Sequence, residues 1–245
     1  MNFTNHGPDK LPRPAVLIVD DEADTRHLLR LYLEREGFDI TEAGDGREAL
    51  KQFQEHVSGG RPFSAVVLDL MLPGIDGWEV CQRLRESSRV PVLMLSARGE
   101  IHERLHGFQL GADDYVPKPF DPREVAARVK ALVARGDSHP PGAEGVRTFG
   151  PLSVDTAGRT VRIAGRPVHL TPKEFDLLVS LTDHPGQTLS RQQLLDRVWG
   201  YAHAAEDRLA DSHIKNLREK LGREGAGQMI TTIWGIGYRF DPPGA

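Results

Sequence analysis

The chain carries a single cysteine, Cys81, among 245 residues. An internal disulfide is therefore excluded, and the thiol is expected to be an ordinary half-buried one. Long apolar runs are missing as well. The longest, 15–19 and 90–95, fall far short of the roughly 20 residues that cross a bilayer. The first 14 residues are polar and interrupted by proline, without the apolar core of a secretory signal. These absences predict a cytoplasmic protein that does not act at a membrane. Positive charge is not in excess either. Up to Gly136 there are 18 Lys+Arg against 22 Asp+Glu, and the remainder carries 13 of each. Neither part is the basic domain of an indiscriminate nucleic-acid binder, so any DNA contact must come from local clustering. No internal repeat is present.

What is present suggests two domains, the natural prior for this length. Short aliphatic runs at 15–19, 38–40, 65–68, 90–95 and around 115–116 alternate with amphipathic stretches near 24–36, 46–57, 76–86, 100–110 and 122–135. A β-α unit repeated five times predicts a parallel sheet covered on both faces. Residues 136–147 hold no periodic apolar pattern and read as an exposed linker between a domain at 14–135 and another at 148–245. In the second domain, strands are expected near 152–154, 160–163 and 168–170. Helices follow at 172–183, 190–199 and 207–221, and a terminal hairpin spans 230–240. Thr171-Pro172-Lys173-Glu174 combines an N-cap, a first-turn proline and a capping-box glutamate.

Open parallel sheets collect their chemistry at the carboxyl ends of the strands. Asp20 and Asp21 stand at the first such end, Asp69 at the third, Ser96 at the fourth and Lys118 at the fifth. With strand order 2-1-3-4-5 the three carboxylates share one pocket. Each pair at about 5 Å then repels by roughly 3 kcal/mol at an effective dielectric near 20. Such a niche needs a cation, and hard oxygen donors favour Mg²⁺. Taken singly, Asp69 is an ordinary loop carboxylate, Ser96 a strand-end capper and Tyr115 a core residue; the constellation is what carries the functional reading.

Asp20-Asp21, Asp69, Ser96-Ala97, Gly111-Ala-Asp-Asp-Tyr115 and Lys118-Pro119-Phe120 together resemble the receiver domain of bacterial response regulators, over about residues 14–135. The resemblance implies a flavodoxin-like fold in which Asp69 accepts a phosphoryl group from a sensor histidine kinase. It also implies that Asp21, Asp69 and the backbone carbonyl of Met71 ligate Mg²⁺, with Asp20 acting through water. Lys118 would pair with the phosphoryl oxygens, Ser96 would bond them, Tyr115 would turn inward, and the Lys118–Pro119 peptide would be cis.

Two enzymatic alternatives fare worse. His102-Glu103-Arg104-Leu105-His106 satisfies the pattern of zinc proteases, but Gln109 stands where the extended motif wants glycine, and no third ligand presents itself. An aspartate-nucleophile phosphohydrolase would need a second aspartate at 71, where this chain has Met71. The chain is therefore not expected to be an enzyme beyond its own phosphorylation and dephosphorylation, and its phosphoaspartate should persist. A phosphorylation-independent regulator using the first domain only to dimerise remains open, though the intact acidic site argues against it.

In the stretch 207–221, Ala210, Ile214, Leu217 and Leu221 form an apolar stripe. Opposite lie Arg208, Ser212, Lys215, Asn216 and Glu219, with Arg218 on a flank. Residues 208–223 hold five basic side chains against two acidic. The motifs around Thr171–Leu178, Ser190–Leu195, Val198-Trp-Gly200, His213-Ile214, Leu217-Arg218 and Gly235–Phe240 look like the winged-helix effector of the OmpR/PhoB subfamily. That resemblance, over about 148–241, implies α+β architecture, binding of double-stranded DNA, and contact between residues 200–206 and RNA polymerase. Arg208, Ser212, His213, Lys215, Asn216 and Arg218 would lie at the major groove, and Trp234 and Arg239 on the wing. Two positions depart from the family: Ala210 and Ser212 flank Asp211 where valines are usual, and Trp234 replaces a common arginine. The resemblance further implies homodimers of the phosphorylated receiver, with Arg104 facing Glu124 and Asp114 facing Arg128 across a two-fold axis.

Overall fold

The computed structural model describes residues 13–97, 112–137, 145–200, 207–223 and 225–243. In the first domain, β1 (Ala15–Val19), β2 (Asp39–Ala43), β3 (Ala65–Asp69), β4 (Val92–Ala97) and β5 (Asp114–Lys118) form one parallel sheet in the order β2-β1-β3-β4-β5. Helices α1 (Ala23–Arg35) and α4 (Pro122–Asp137) cover one face, burying Leu29, Leu33, Val125 and Val129 against Val16 and Ile18. Helices α2 (Gly46–Ser58) and α3 (Gly77–Ser87) cover the other, with Phe53, Val80 and Leu84 against Leu17 and Val19. Alternate residues of β1 thus enter different cores, which is why the strand is apolar throughout rather than alternating. Asp45 and Asp76 cap α2 and α3 by accepting from backbone amides of the first turn.

The second domain opens with an antiparallel sheet of β6 (Val146–Phe149), β7 (Leu152–Asp155), β8 (Thr160–Ile163) and β9 (Arg166–Val168). Helix α5 (Pro172–Thr182) starts with the expected capping box between Thr171 and Glu174, and α6 (Arg191–Val198) with a second between Ser190 and Gln193. Helix α7 (Asp207–Gly222) buries Leu209, Ala210, Ile214, Leu217 and Leu221. The chain ends in β11 (Ile230–Ile233) and β12 (Gly237–Phe240), joined by β10 (Thr188–Ser190) in a sheet ordered β10-β12-β11. This is the expected winged-helix arrangement. Among the described residues no helix is long and apolar enough to cross a membrane.

Several boundaries differ from those read in the sequence. Helix α4 runs on to Asp137, and β6 begins at Val146, so regular structure enters both ends of the stretch read as linker. The strand expected at 168–170 lies at Arg166–Val168, where its antiparallel pairing with Val161–Ile163 of β8 places it. Cys81 is fully buried rather than half-buried, one turn from Leu84 on the inner face of α3, and burial pushes its thiol up to about 11. The stretches 100–110, with its paired histidines, and 201–206 lie outside the described residues.

Candidate functional site

The sheet delivers Asp20, Asp69 and Lys118 to one point. Strands β1 and β3 are neighbours in register, so Asp20, just beyond β1, and Asp69, the last residue of β3, meet at the same sheet end. Asp20 has no exposed surface and Asp69 only 2%. Asp21 is exposed, and ligand oxygens of the three carboxylates all lie within 4.8 Å of one another. Lys118, at the end of β5, reaches across and donates to Asp20 Oδ2 at 2.8 Å and to Asp69 Oδ2 at 2.7 Å. Burial pushes the Asp20 carboxyl above its ordinary value, although Lys118 pulls it down. Burial works to depress the Lys118 ammonium, but its two carboxylate partners outweigh that and hold it above the ordinary range. The peptide bond between Lys118 and Pro119 is cis.

Local structure fixes these groups. Asp20 Oδ1 accepts from the Glu22 amide at 2.9 Å. Arg26, in the first turn of α1, donates to the Asp20 carbonyl at 2.6 Å and the Asp21 carbonyl at 3.1 Å. Its guanidinium also meets Glu42 of β2 at 3.5 Å. Asp69 Oδ1 accepts from the Met71 amide at 3.3 Å, while the Met71 side chain projects into solvent. A Cβ on Gly77 would collide with the Asp69 carbonyl, so only glycine lets α3 start this close to the Asp69 backbone. The role of Arg26 was missed by the sequence reasoning; its position six residues after Asp20 was the available signal.

Ser96 is buried, one residue beyond Leu95, the partner of Asp69 in the β3–β4 ladder. Its Oγ has no hydrogen-bond partner among the described residues. A buried hydroxyl is rarely left this way, since each unmade hydrogen bond costs about 1–3 kcal/mol. Tyr115 is 5% exposed on β5, beside Met94. Three hard carboxylate oxygens at one sheet end suit Mg²⁺.

The expected DNA-contacting residues do not share one environment. Lys215 and Trp234 are exposed, Trp234 at 89%. Arg239 forms an ion pair with Asp241 at 2.6 Å. Arg218 donates to the Ile230 carbonyl at 2.9 and 2.6 Å and to Thr232 at 2.9 Å, pinning the hairpin to α7. Ser212 and Asn216 are only 7% and 8% exposed, and His213 is fully buried against Trp199, with ring centres 5.0 Å apart. The exposed face read for α7 is therefore partly covered. Arg208 lies in α7, but its side chain is outside the described residues, as is Arg104. Asp114 and Arg128 meet within one chain at 3.2 Å, and Arg128 also holds Glu124 at 2.7 Å.

Comparison with known proteins agrees with this architecture. Residues 16–130 match the response regulator receiver domain, and residues 165–240 match the family described as transcriptional regulatory protein, C terminal. The transcriptional regulatory protein SrrA of Staphylococcus aureus is 45% identical over 233 residues, covering 92% of this chain and 95% of SrrA. A solved point mutant of RitR is 26% identical with a TM-score of 0.73, over 94% of this chain and 99% of that one. DrrB of Thermotoga maritima, an OmpR/PhoB homolog, is 31% identical with a TM-score of 0.48, over 94% of this chain and 100% of that one.

Proposed function

From the premise that this chain belongs to the OmpR/PhoB-type response regulators, a receiver domain joined to a DNA-binding domain, we propose that Asp69 is its phosphoacceptor and that phosphorylation controls DNA binding. One observation carries the reading: Lys118 bridges Asp20 and Asp69 beside a buried Ser96 hydroxyl with nothing to bond among the described residues. A structural ion pair needs no such vacant donor; an incoming anion does.

In the reaction, an Asp69 oxygen attacks the phosphorus of a phosphohistidine on the partner kinase. The N–P bond breaks, and the imidazole leaves with the electron pair and takes up a proton. Bound Mg²⁺ would neutralise charge on the transferring oxygens, and Asp21, Asp69 and the Met71 carbonyl would hold it, with Asp20 acting through water. Lys118 already lies on Asp69 and needs only to exchange a carboxylate partner for a phosphoryl oxygen. Ser96 donates to the new oxygens, and Tyr115 follows into the space vacated. Taking a switch from 1:99 to 99:1 requires about 5.5 kcal/mol. Two or three charge-assisted hydrogen bonds of roughly 1.5–3 kcal/mol each meet that requirement. No acid/base group stands at Met71, which favours a long-lived phosphoaspartate.

The phosphorylated receivers pair through Asp114, Glu124 and Arg128, with Arg104 as the fourth member, bringing two effectors to adjacent half-sites. On DNA, Arg208, Lys215 and Asn216 of α7 approach the major groove, with Ser212 beside them and Trp234 and Arg239 on the wing. His213 supports Trp199 from within. RNA polymerase is the proposed partner of residues 200–206, and the cytoplasm is the proposed compartment. The test is incubation with acetyl phosphate and Mg²⁺, followed by intact mass and a DNA titration. Wild type should gain one phosphoryl group and Asp69→Asn none; equal gain by both would overturn the assignment.

A further inference from the structure

The terminal hairpin carries two exposed apolar side chains at its tip. Trp234 is 89% exposed, the highest value of any large apolar residue among those described, and Ile236 beyond Gly235 is 55% exposed. The tip itself is rigid. Ile236 donates its amide to the Ile233 carbonyl at 3.0 Å, and Gly235, at a φ of +74°, supplies the left-handed third residue that this turn requires. Ile236 offers its carbonyl to the Arg191 amide at 3.4 Å, which ties the tip to the start of α6. A Cβ on Gly237 would strike the Leu189 carbonyl, so glycine there lets β12 lie tight on β10. Further ties bind the hairpin to α7. Arg218 reaches the Ile230 carbonyl and Thr232, and Tyr238 donates its hydroxyl to Asp211 at 2.6 Å. The guanidinium groups of Arg191 and Arg218 both lie over the Tyr238 ring, 5.3 and 5.4 Å from its centre.

We propose that Trp234 and Ile236 form an apolar wedge that enters the minor groove and parts a base step, so that this chain favours duplexes that unstack easily there. The inference rests on the proposed placement of α7 in the major groove and names what the hairpin does beside it. Three observations point to DNA as the occupant. An element clamped along the flank of a major-groove helix stands over the sugar–phosphate ridge, and beyond that ridge lies the minor groove. Residues 225–240 contain no Asp or Glu, against 35 in the whole chain, so no side chain of the hairpin repels phosphate. The minor groove is about 6 Å wide, too narrow for a helix of about 10 Å but open to side chains at a turn.

The chemistry of the tip decides how it acts. A basic side chain is drawn into a narrow minor groove by the negative potential there. An indole and a branched alkyl group carry no charge, and the groove's base edges give them little sequence to read. Their means of action is to replace part of a base's stacking surface with their own, which is how apolar side chains kink a duplex. Insertion also removes from water the apolar surface that the free chain exposes. A tip whose backbone is already fixed loses little conformational freedom on entry. The resulting preference is for flexible steps such as TA and CA/TG, felt through deformability and not through base edges.

The full chain is titrated with two random-sequence duplex pools of about 30 base pairs, roughly three helical turns. They are identical except that one carries a central mismatch, where stacking is already weakened. Wild type should bind the mismatched pool roughly 5- to 30-fold more tightly, because part of the unstacking cost is removed. Trp234→Ala should bind both pools alike. Trp234→Arg should show no preference either, while its salt slope on the intact pool steepens by about 1. Acrylamide quenching gives a second readout: of Trp78, Trp199 and Trp234 only Trp234 is exposed, so DNA should shield an emitter in wild type that Trp234→Ala lacks. Equal discrimination by wild type and Trp234→Ala overturns the wedge. A loss of affinity shared equally by both pools does so too, since it marks a contact to the backbone alone. A lower sedimentation coefficient in Trp234→Ala with discrimination unchanged would assign the tip to a second copy of this chain instead. Wild type that binds neither pool overturns the DNA-binding reading itself; wild type that binds both alike removes only the wedge.

Discussion

Replacing Lys118 by alanine should injure the metal-free receiver more than any other single change at the sheet end. The ammonium makes hydrogen bonds of 2.8 and 2.7 Å to two carboxylates that are 0% and 2% exposed. Each bond to a charged group contributes about 1.5–3 kcal/mol, and breaking a buried pair typically costs roughly 3–5 kcal/mol. The lysine side chain is 27% exposed, and one acid can escape the new repulsion by taking a proton. Both facts lower the expectation to about 2–4 kcal/mol. With a mid-range urea slope of about 2 kcal/mol per molar, the receiver transition should move down by roughly 1–2 M. Mg²⁺ then discriminates between causes. In wild type a bound metal would share the carboxylates with the ammonium; in Lys118→Ala it would meet them without that lysine, so added Mg²⁺ should recover a larger increment of stability. A loss below about 0.5 kcal/mol, the usual range for surface changes, or an equal Mg²⁺ effect in both proteins, would refute the reasoning.

Ser96→Ala removes a buried hydroxyl without a partner among the described residues, so chemical denaturation should find it as stable as wild type or slightly more so. Its phosphorylated form should lose one bond of about 1.5–3 kcal/mol, seen as a roughly 10- to 100-fold weaker DNA response to acetyl phosphate; an undiminished response would exclude the assigned role. His213 is pushed down to about 3 by burial and by the cations of Lys173 and Lys220. Its folded value lies below the unfolded 6.5, so its contribution is complete above pH 6.5 and is lost as pH falls toward 3, by at most about 1.4 kcal/mol per unit. His213→Gln should remove that component, and a wild-type-to-variant stability difference that does not change from pH 6.5 to about 5 would contradict it.

The parts legible in the sequence were those set by local chemistry or repeated pattern. The all-apolar runs of β1 and β3 announced strands buried on both faces, and Thr171 with Glu174 announced α5 down to its cap. The site at Asp20, Asp69 and Lys118 was legible because strand ends recur at fixed places in such a sheet. Two short strands were not: β6 alternates only partly buried positions, and β10 has three residues whose pairing with β12 depends on chain some 50 residues away. Ser212 and Asn216 were read as exposed because helical periodicity marks the apolar stripe and not what packs beside it; in the structure they are 7% and 8% exposed. For Asp114 and Arg128 the sequence supplies complementary charges but not the copy in which each finds its partner. Within the chain they already meet.

That last point explains why three consecutive residues matter more than their count suggests. Asp113 offers its carbonyl to Trp199 and its carboxylate to Arg85; Asp114 holds Arg128; Tyr115 is the proposed switch. Side chains on a strand alternate between faces, so neighbouring residues of β5 can serve different surfaces while the backbone links them rigidly. A sub-ångström shift of this strand could not be absorbed by Tyr115 alone, because packed cores respond by changing arrangement rather than by stretching. The strand that ends in Lys118 at the acidic niche begins at the residue next to the one on which the effector rests.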